Sequence, residues 1–508
     1  MNRTPSITTQ KPILIIGAGI GGLSAAIHLA AAGRRVTVLE KNPQVGGKMS
    51  ELQLGGYRFD TGPSVITLRP AFEALFAAAG RRLEDYLDLH PLDPLTRYFY
   101  PGGRVLNIQS EPSHTLEQIA AIEPADVQGY QRFLAYAARL FRITAPVFIF
   151  DQPPTWRSFA RVPVKDWLAV DGLRSMQSAI QSHVRSLELR QLLGRFATYV
   201  GASPYQAPAT LNVIAHLELN QGVWYPAGGI YQIARAYERL ALELGVEIRT
   251  STPVRSLDVQ SGQVQGVILA SGSRLAASAV LSNLDAANTY AKLMPASLDQ
   301  NQRVARQARF LAQAQPSGSG FILMLGVRGQ HPQLAHHNIF FSSDYPLEFE
   351  QIFRRQMPPS EPTIYAAISS KSTPTDAPPG CENWFVLVNV PALSAEPGQG
   401  WDWSVRKAGY RQLVLDLLAR RGFDLSGKIE VEHILTPIEI ETLSGAQRGA
   451  LYGASSNNRW AAFLRPHNRD PLLNGLYFAG GTVHPGGGVP MVTLSGQAAA
   501  RLILQDGF

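Results

Sequence analysis

Two glycine-rich stretches carry the residue types that let main chain press against a ligand. GAGIGG occupies residues 17–22, and GGTVHPGGGVPMVTLSGQAAA occupies residues 480–500. In the first, Gly17 permits a tight turn. Gly19 lets the backbone approach a pyrophosphate, and Gly22 lets a helix pack closely on a strand. Glu40 follows eighteen residues after Gly22. A carboxylate there accepts hydrogen bonds from both ribose hydroxyls and repels a 2′-phosphate, which disfavours NADP. The second stretch offers a similar close approach far along the chain, as a long ligand gripped at both ends would require.

The elements needed to hold these residues can be read around them. Residues 13–16, ILII, form the short apolar run of a buried parallel strand. The spacing predicts a helix over residues 20–32, ended by Gly33, and a second strand over 36–39, closed by Glu40. This βαβ unit aims a helix N-terminus at the phosphates. EKNPQVGGKMS follows, where Gly46 and Gly47 give either a plain turn or a second close approach to the same phosphates, one that nicotinamide enzymes do not need. Lys41, Gly46 and Lys48 join the candidate cofactor-binding set with it. GGYRFDTGPSVI then reads as a short strand flanked by turns.

From about residue 75 to 215 the pattern turns helical, as in YQRFLAYAARLFRI and LRQLLGRFATYV, with proline breaks at DQPPTW and SPYQAP. An inserted helical layer is expected. Within it FRITAPVFIF, residues 141–150, is greasy for a loop: either core, or a segment that dips into a membrane or admits substrate. Ile230, Ala234, Tyr237, Ala241 and Leu244 recur at helical spacing, predicting an amphipathic helix over 229–244. VEIRT reads as a strand, and SLDVQ, QVQGVILA and SRLAASAVLSN as a strand ribbon where the chain re-enters the nucleotide-binding sheet. GFILMLGV and NWFVLVNV read as strands of a second sheet.

The C-terminal stretch completes the picture. Residues 476–479 read as one more strand of the first sheet, and ligands bind at the carboxyl ends of such strands. The loop at 480–490 would lie against the ligand's far end. The helix from Met491 would point about half a positive charge there. That suits the N1–C2=O edge of an isoalloxazine, which becomes anionic on reduction. One FAD held by both loops is the expectation.

Bulk properties bound the remaining classes. The 508 residues exceed one simple core, and 45% hydrophobic with 17% charged residues describes a globular chain. The net charge is +7, yet the basic residues are scattered, which argues against nucleic acid as a partner. The one cysteine, Cys381, excludes an internal disulfide and a cysteine-built metal cluster. It reads as an inert thiol, in keeping with a cytoplasmic location. The eleven histidines show no metal-ligand spacing, so no metal is expected. Residues 12–33 are as long as a membrane span, but the four glycines in their first half and the strand that follows argue against one.

The stretches IIGAGIGGLSAAIHLAAAGRRVTVLEKNPQVGGK, GGYRFDTGPSV and LYFAGGTVHPGGGVPMVTLSG resemble the bacterial carotenoid desaturases, the phytoene-desaturase-type FAD enzymes. The resemblance runs over essentially the whole chain. FATYVGASPYQAPATL with HPGGGVPM is closest in appearance to the branch that desaturates C-3,4 of 1-hydroxylated acyclic carotenoids. The resemblance implies noncovalent FAD and a long polyene drawn from the membrane. A C–C bond beside the polyene is then oxidised, with hydride passing to flavin N5. Carried onto this chain, the pyrophosphate and ribose contacts fall on Gly17, Gly19, Gly22, Glu40 and Gly47. The adenine contact falls on Val254, and the flavin contacts on Gly480, Gly481, Val489, Pro490 and Met491. Many amine oxidases carry an acid where Gly481 stands.

The expected fold is α/β. A discontinuous Rossmann-like FAD-binding domain takes residues 1–75, 216–295 and 435–508. An interleaved α+β substrate-binding and membrane-associating domain takes 76–215 and 296–434. An apolar substrate calls for an apolar, aromatic tunnel with few polar groups. No base for proton loss can be named; His484 is a candidate, as fitted to shaping its loop as to moving a proton. Phytoene-type multistep desaturation, isomerisation and terminal-methyl oxygenation remain alternatives, as do a flavin amine oxidase and a non-catalytic carotenoid carrier. The electron acceptor is oxygen or a quinone, and contact with the membrane is expected to be peripheral.

Overall fold

A computed structural model describes residues 11–150, 153, 169–298, 300–396, 398–457 and 465–508. Most of the proline break at DQPPTW lies outside the described residues.

A five-stranded parallel sheet runs in the order Leu476–Phe478, Ala279–Ser282, Ile13–Ile16, Val36–Leu39, Glu247–Arg249. Ile15 stands opposite Leu281 on one side and Val38 on the other. All four residues of Ile13–Ile16 are buried because both faces are covered. Ile13 and Ile15 pack with the helix Ile20–Ala31 in the largest apolar cluster, while Leu14 and Ile16 join a separate cluster on the opposite face. Side chains alternate across a strand, so a two-sided apolar run is the signature of such burial. The expected βαβ unit and the returning strand at 476–478 are therefore present, and Val254–Gln260, Gln263–Leu269 and Arg274–Ala276 form an antiparallel ribbon beside it.

The amphipathic helix occupies Gln232–Glu243, three residues later than its pattern starts. Gly229 has φ of +97°, and the Arg58 guanidinium fills the space a side chain there would need. Arg58 is itself held by Glu51, Asp60 and Asp376.

The second sheet has seven strands: Ile429–Leu435, Ser319–Arg328, Cys381–Val390, Ile364–Ala367, His337–Phe340, Thr96–Phe99 and Val105–Ile108. The last two correct the expectation of an all-helical insert. Thr96 and Tyr98 are buried and alternate with half-buried Arg97 and Phe99, a period-two pattern only four residues long. Gly102 and Gly103, both with positive φ, turn the chain between them. A further short strand, Leu89–Pro91, pairs with Trp224–Pro226, and the rest of the insert is mainly helical. It comprises Pro112–Ile122, Pro124–Phe148, Met176–Gln181, Leu187–Gly194 with a 3-10 turn at Arg195–Val200, and Val213–Leu219. Among the described residues no helix is long and apolar enough to cross a membrane.

Candidate functional site

The first helix begins at Gly19, which offers no side chain to its first-turn N–H groups. Those donors face the cavity described below and are available to an anion. The Gly46–Gly47 turn docks directly on this loop: Gly46 N–H donates to the Ala18 carbonyl at 2.8 Å. A Cβ on Gly47 would come within 3.3 Å of Gly19 Cα. Gly46 has φ of +109°, and a Cβ there would overlap the Met49 carbonyl, so its first duty is to the turn itself. Gly22 packs: a Cβ on it would overlap the Gly17 carbonyl.

Glu40 is buried, with Oε2 accepting from Ala18 N–H at 2.7 Å and Oε1 from Asn42 N–H at 2.9 Å. Each oxygen retains a further lone pair, so the carboxylate is aimed and still able to receive hydroxyls. The Glu40 carbonyl accepts from Thr252 N–H, which brings the segment carrying Val254 alongside.

At the other end, the helix Val489–Gln505 starts from Gly488, again without a side-chain cap. Gly480, Gly486 and Gly488 have φ of +126°, +134° and +101°. The loop is stapled from behind by Ser495, whose hydroxyl donates to the His484 carbonyl at 2.7 Å and accepts from Gly480 N–H at 3.0 Å. Half-buried Arg465 lies under it, donating to the Gly481 carbonyl at 2.9 Å and to the Tyr452 carbonyl at 3.2 Å. Burial lowers its guanidinium to about 10.

A single cavity of about 1110 Å³ joins these parts. It is lined by Gly17, Gly19, Glu40, Lys41, Gly46, Gly47, Lys48, Val254, Gly480, Gly481, Val489, Pro490 and Met491. Of the residues singled out from the sequence, Gly22 and His484 do not line it. His484 is buried behind the loop, and its backbone carbonyl accepts from Ser495 and Asn468. Lys48 donates to the Leu451 carbonyl at 2.9 Å; burial lowers its pKa, partly offset by Asp285.

Beyond the glycine loops the cavity continues between the second sheet (Ile322, Ile339, Leu387) and the helical layer (Val213, Ile214, Leu217). Its total volume exceeds the roughly 300–1,000 Å³ of ordinary small-ligand pockets, which leaves space for a second molecule beside a cofactor. The greasy stretch at 141–150 borders it. Phe148 and Ile149 line the cavity, while Phe150 is 39% exposed.

Three cavity features escaped the sequence reading. Asn283 is wedged between the two glycine loops. Glu348 is a buried carboxylate on the cavity wall, raised to about 7 chiefly by burial, that accepts from Thr363 N–H at 3.0 Å and its hydroxyl at 2.6 Å. Arg195 is buried at the wall and paired with Glu218. None belongs to a spacing motif; each is assembled by tertiary contacts.

The residues present thus fit an FAD: an aimed acid, two uncapped helix N-termini, and glycines where side chains would intrude. Among the described residues no cluster of groups could hold a metal ion.

The family model for flavin containing amine oxidoreductases matches residues 20–504. The 4,4'-diaponeurosporene oxygenase of Staphylococcus haemolyticus is 36% identical, over 97% of this chain and 97% of its own. That of Staphylococcus aureus strain MSSA476 is 35% identical, over 97% and 98%. Among solved structures, an oxidoreductase from Methanosarcina mazei aligns with a TM-score of 0.64 at 17% identity, covering 96% of this chain and 100% of that one. Putrescine oxidase bound to putrescine aligns at 0.62 and 16%, covering 98% and 99%. At such identities these two structures speak for the fold alone.

Proposed function

The chain belongs to the flavin containing amine oxidoreductase family and is an FAD-dependent oxidoreductase; on that premise we propose that it oxidises a long acyclic carotenoid. The observation that carries this reading is the cavity, which runs on from the flavin end between apolar sheet and helix residues. A hydrocarbon offers no charged handle, so such a substrate is held by length and apolar contact. The relatives' names and the carotenoid-desaturase resemblance support the same substrate class.

Bound FAD supplies a two-electron acceptor that takes hydride at N5. In the cofactor's grip we assign Gly17, Gly19, Gly47 and the first helix to the pyrophosphate and Glu40 to the ribose. Val254 is assigned to the adenine side, and the Gly480–Met491 segment to the flavin. Around the reacting carbon the chain's role is to exclude water and to line up the polyene. Glu348 is the cavity carboxylate best suited to receive the proton lost beside the hydride, because burial raises it to about 7.

The carbon that gives up hydride decides the product. If it belongs to the saturated bond beside the polyene and its neighbour then loses a proton, a C=C bond forms; this is the desaturation implied by the C-terminal motif. If it is a terminal methyl, water adds to that carbon and releases a proton, so a C–O bond forms; the name oxygenase carried by the relatives favours this course. Either course needs a two-electron acceptor beyond the chain, for which we propose oxygen or a membrane quinone.

We further place the protein in the cytoplasm, peripherally on a bilayer, since its substrate dissolves in nothing else. The deciding experiment expresses the gene in cells making a known acyclic carotenoid, with or without a 1-hydroxyl, and reads pigment mass and spectrum. Loss of two hydrogens with a red shift marks desaturation, and gain of oxygen marks oxygenation. Unchanged pigments from FAD-loaded protein would overturn the substrate class.

A further inference from the structure

The cavity wall is apolar over long stretches, yet it contains one buried ion pair. Arg195 is 5% exposed and Glu218 is 0% exposed, and they bond directly. Arg195 Nε donates to the Tyr98 hydroxyl at 2.8 Å, and Nη1 donates to the Tyr199 hydroxyl at 2.9 Å. The Tyr199 hydroxyl in turn donates to Glu218 Oε2 at 2.5 Å. Thr96 Oγ1 lies 3.4 Å from Glu218 Oε1. Thr96, Arg195 and Tyr199 line the cavity, while Glu218 stands behind them.

A buried pair of this kind costs several kcal/mol per ion in lost hydration, and apolar residues of the same size are often at least as stabilising. Structure alone gives little reason to set it at the wall of a hydrocarbon tunnel. Its hydrogen bonds use three of the five N–H groups of the guanidinium. One hydrogen on each terminal nitrogen has no acceptor among those bonds, on a residue that borders the cavity. Glu218 neutralises the charge. The site therefore offers donors without net charge, which suits a neutral oxygen, a hydroxyl or a carbonyl, and not a carboxylate.

We propose that Arg195, held by Glu218 and Tyr199, is the seat for an oxygen-bearing end group of the long apolar substrate and sets the preference for oxygenated over purely hydrocarbon chains. This rests on the reading that the cavity takes a long polyene. Arg195 makes the contact; Glu218 and Tyr199 are positioning residues. An unoxygenated end leaves the two donors dry and unpaired, and that penalty is the source of discrimination.

The test uses FAD-loaded protein and two acyclic carotenoids differing only in a terminal hydroxyl, presented in liposomes. Dissociation constants are read from quenching of protein fluorescence, and turnover is measured separately. The wild type is expected to bind the hydroxylated compound about tenfold to a hundredfold more tightly. Arg195→Met with Glu218→Gln, which leaves no lone buried charge, should erase that ratio while keeping affinity for the hydrocarbon and the flavin content. Tyr199→Phe, a gentler change, should reduce the ratio severalfold, in KM more than in kcat. Equal binding of both compounds by the wild type, or equal loss of both in the variants, overturns the proposal and leaves the carotenoid reading intact. Binding of neither compound by wild type overturns the carotenoid reading, and this inference with it.

Discussion

The Asn283 side chain donates to the Ala479 carbonyl at 2.8 Å while packing against the glycines of the first loop. A Cβ on Gly19 would stand 2.6 Å from its Oδ1, one on Gly21 2.8 Å from its Nδ2, and one on Gly480 3.0 Å from the same nitrogen. The glycines of both loops thus serve one amide as well as a ligand. Asn283→Ala leaves the Ala479 carbonyl without this donor, at a cost of about 1–3 kcal/mol. The expected result is a roughly tenfold weaker hold on FAD, read by dialysis and flavin absorbance. Unaltered FAD affinity would remove Asn283 from the cofactor's support.

The crossing of the first and last helices gives a second prediction. A Cβ on Gly496 would meet Ala25 N and Ser24 Cβ at 2.7 Å, both within the helix Ile20–Ala31. Gly496→Ala forces those helices apart and should destabilise by about 1–3 kcal/mol. Thermal unfolding followed by flavin release should occur at lower temperature than in the wild type. A melting curve that superimposes on the wild type would show that the crossing yields freely.

Glu348 gives the pH dependence. Its carboxyl is raised from 4.5 to about 7, first by burial and further by Glu361, against the bonds from Thr363. Between those two values the folded protein holds a proton that the unfolded chain has lost, so stability falls as pH rises through this window and levels above about 7. Glu348→Gln should flatten that slope and gain on the wild type toward pH 8, measured by thermal unfolding across pH. If Glu348 also receives the substrate's proton, wild-type turnover rises through pH about 7 and the Gln variant is slower with no such rise. Parallel pH profiles would assign the residue to packing.

The end of the long helix Pro124–Phe148 tests membrane contact. Phe150 is exposed and sits edge-on to Phe141, with ring centres 6.2 Å apart, whereas Phe148 and Ile149 turn to the cavity. Phe150→Ser should weaken liposome binding several-fold with FAD content intact. Phe148→Ser with Ile149→Ser should slow oxidation of carotenoid supplied in liposomes more than it weakens binding to them. Liposome sedimentation identical for wild type and Phe150→Ser would move the docking surface elsewhere.

Much of the nucleotide half was legible because independent signals coincide there. Residues 13–16 are apolar on both faces, the glycines fall at fixed offsets, and Glu40 arrives at the end of the next strand. The C-terminal loop was legible for the same reason, as glycine density beside a buried strand. Asn283 was not: a lone asparagine after a strand has no pattern until the parallel neighbours carrying Gly17 and Gly480 are brought alongside. Arg195 and Glu218 stand on helical segments in no spacing motif, and only closure against Tyr98 and Tyr199 buries them. The strands at 96–99 and 105–108 were too short for alternation to show against flanking helical pattern.

The sheet order has a consequence for synthesis. Gly19 and Gly480, near neighbours through one asparagine, lie far apart in sequence, so the first leaves a ribosome long before the second. Pairing of Leu476–Phe478 with Ala279–Ser282 closes a very long loop, a late and slow event. A nascent chain can shape the βαβ unit early but cannot enclose a flavin until translation has passed the helix Val489–Gln505. Cofactor capture then reports that this helix has been made, and a product interrupted before it remains colourless.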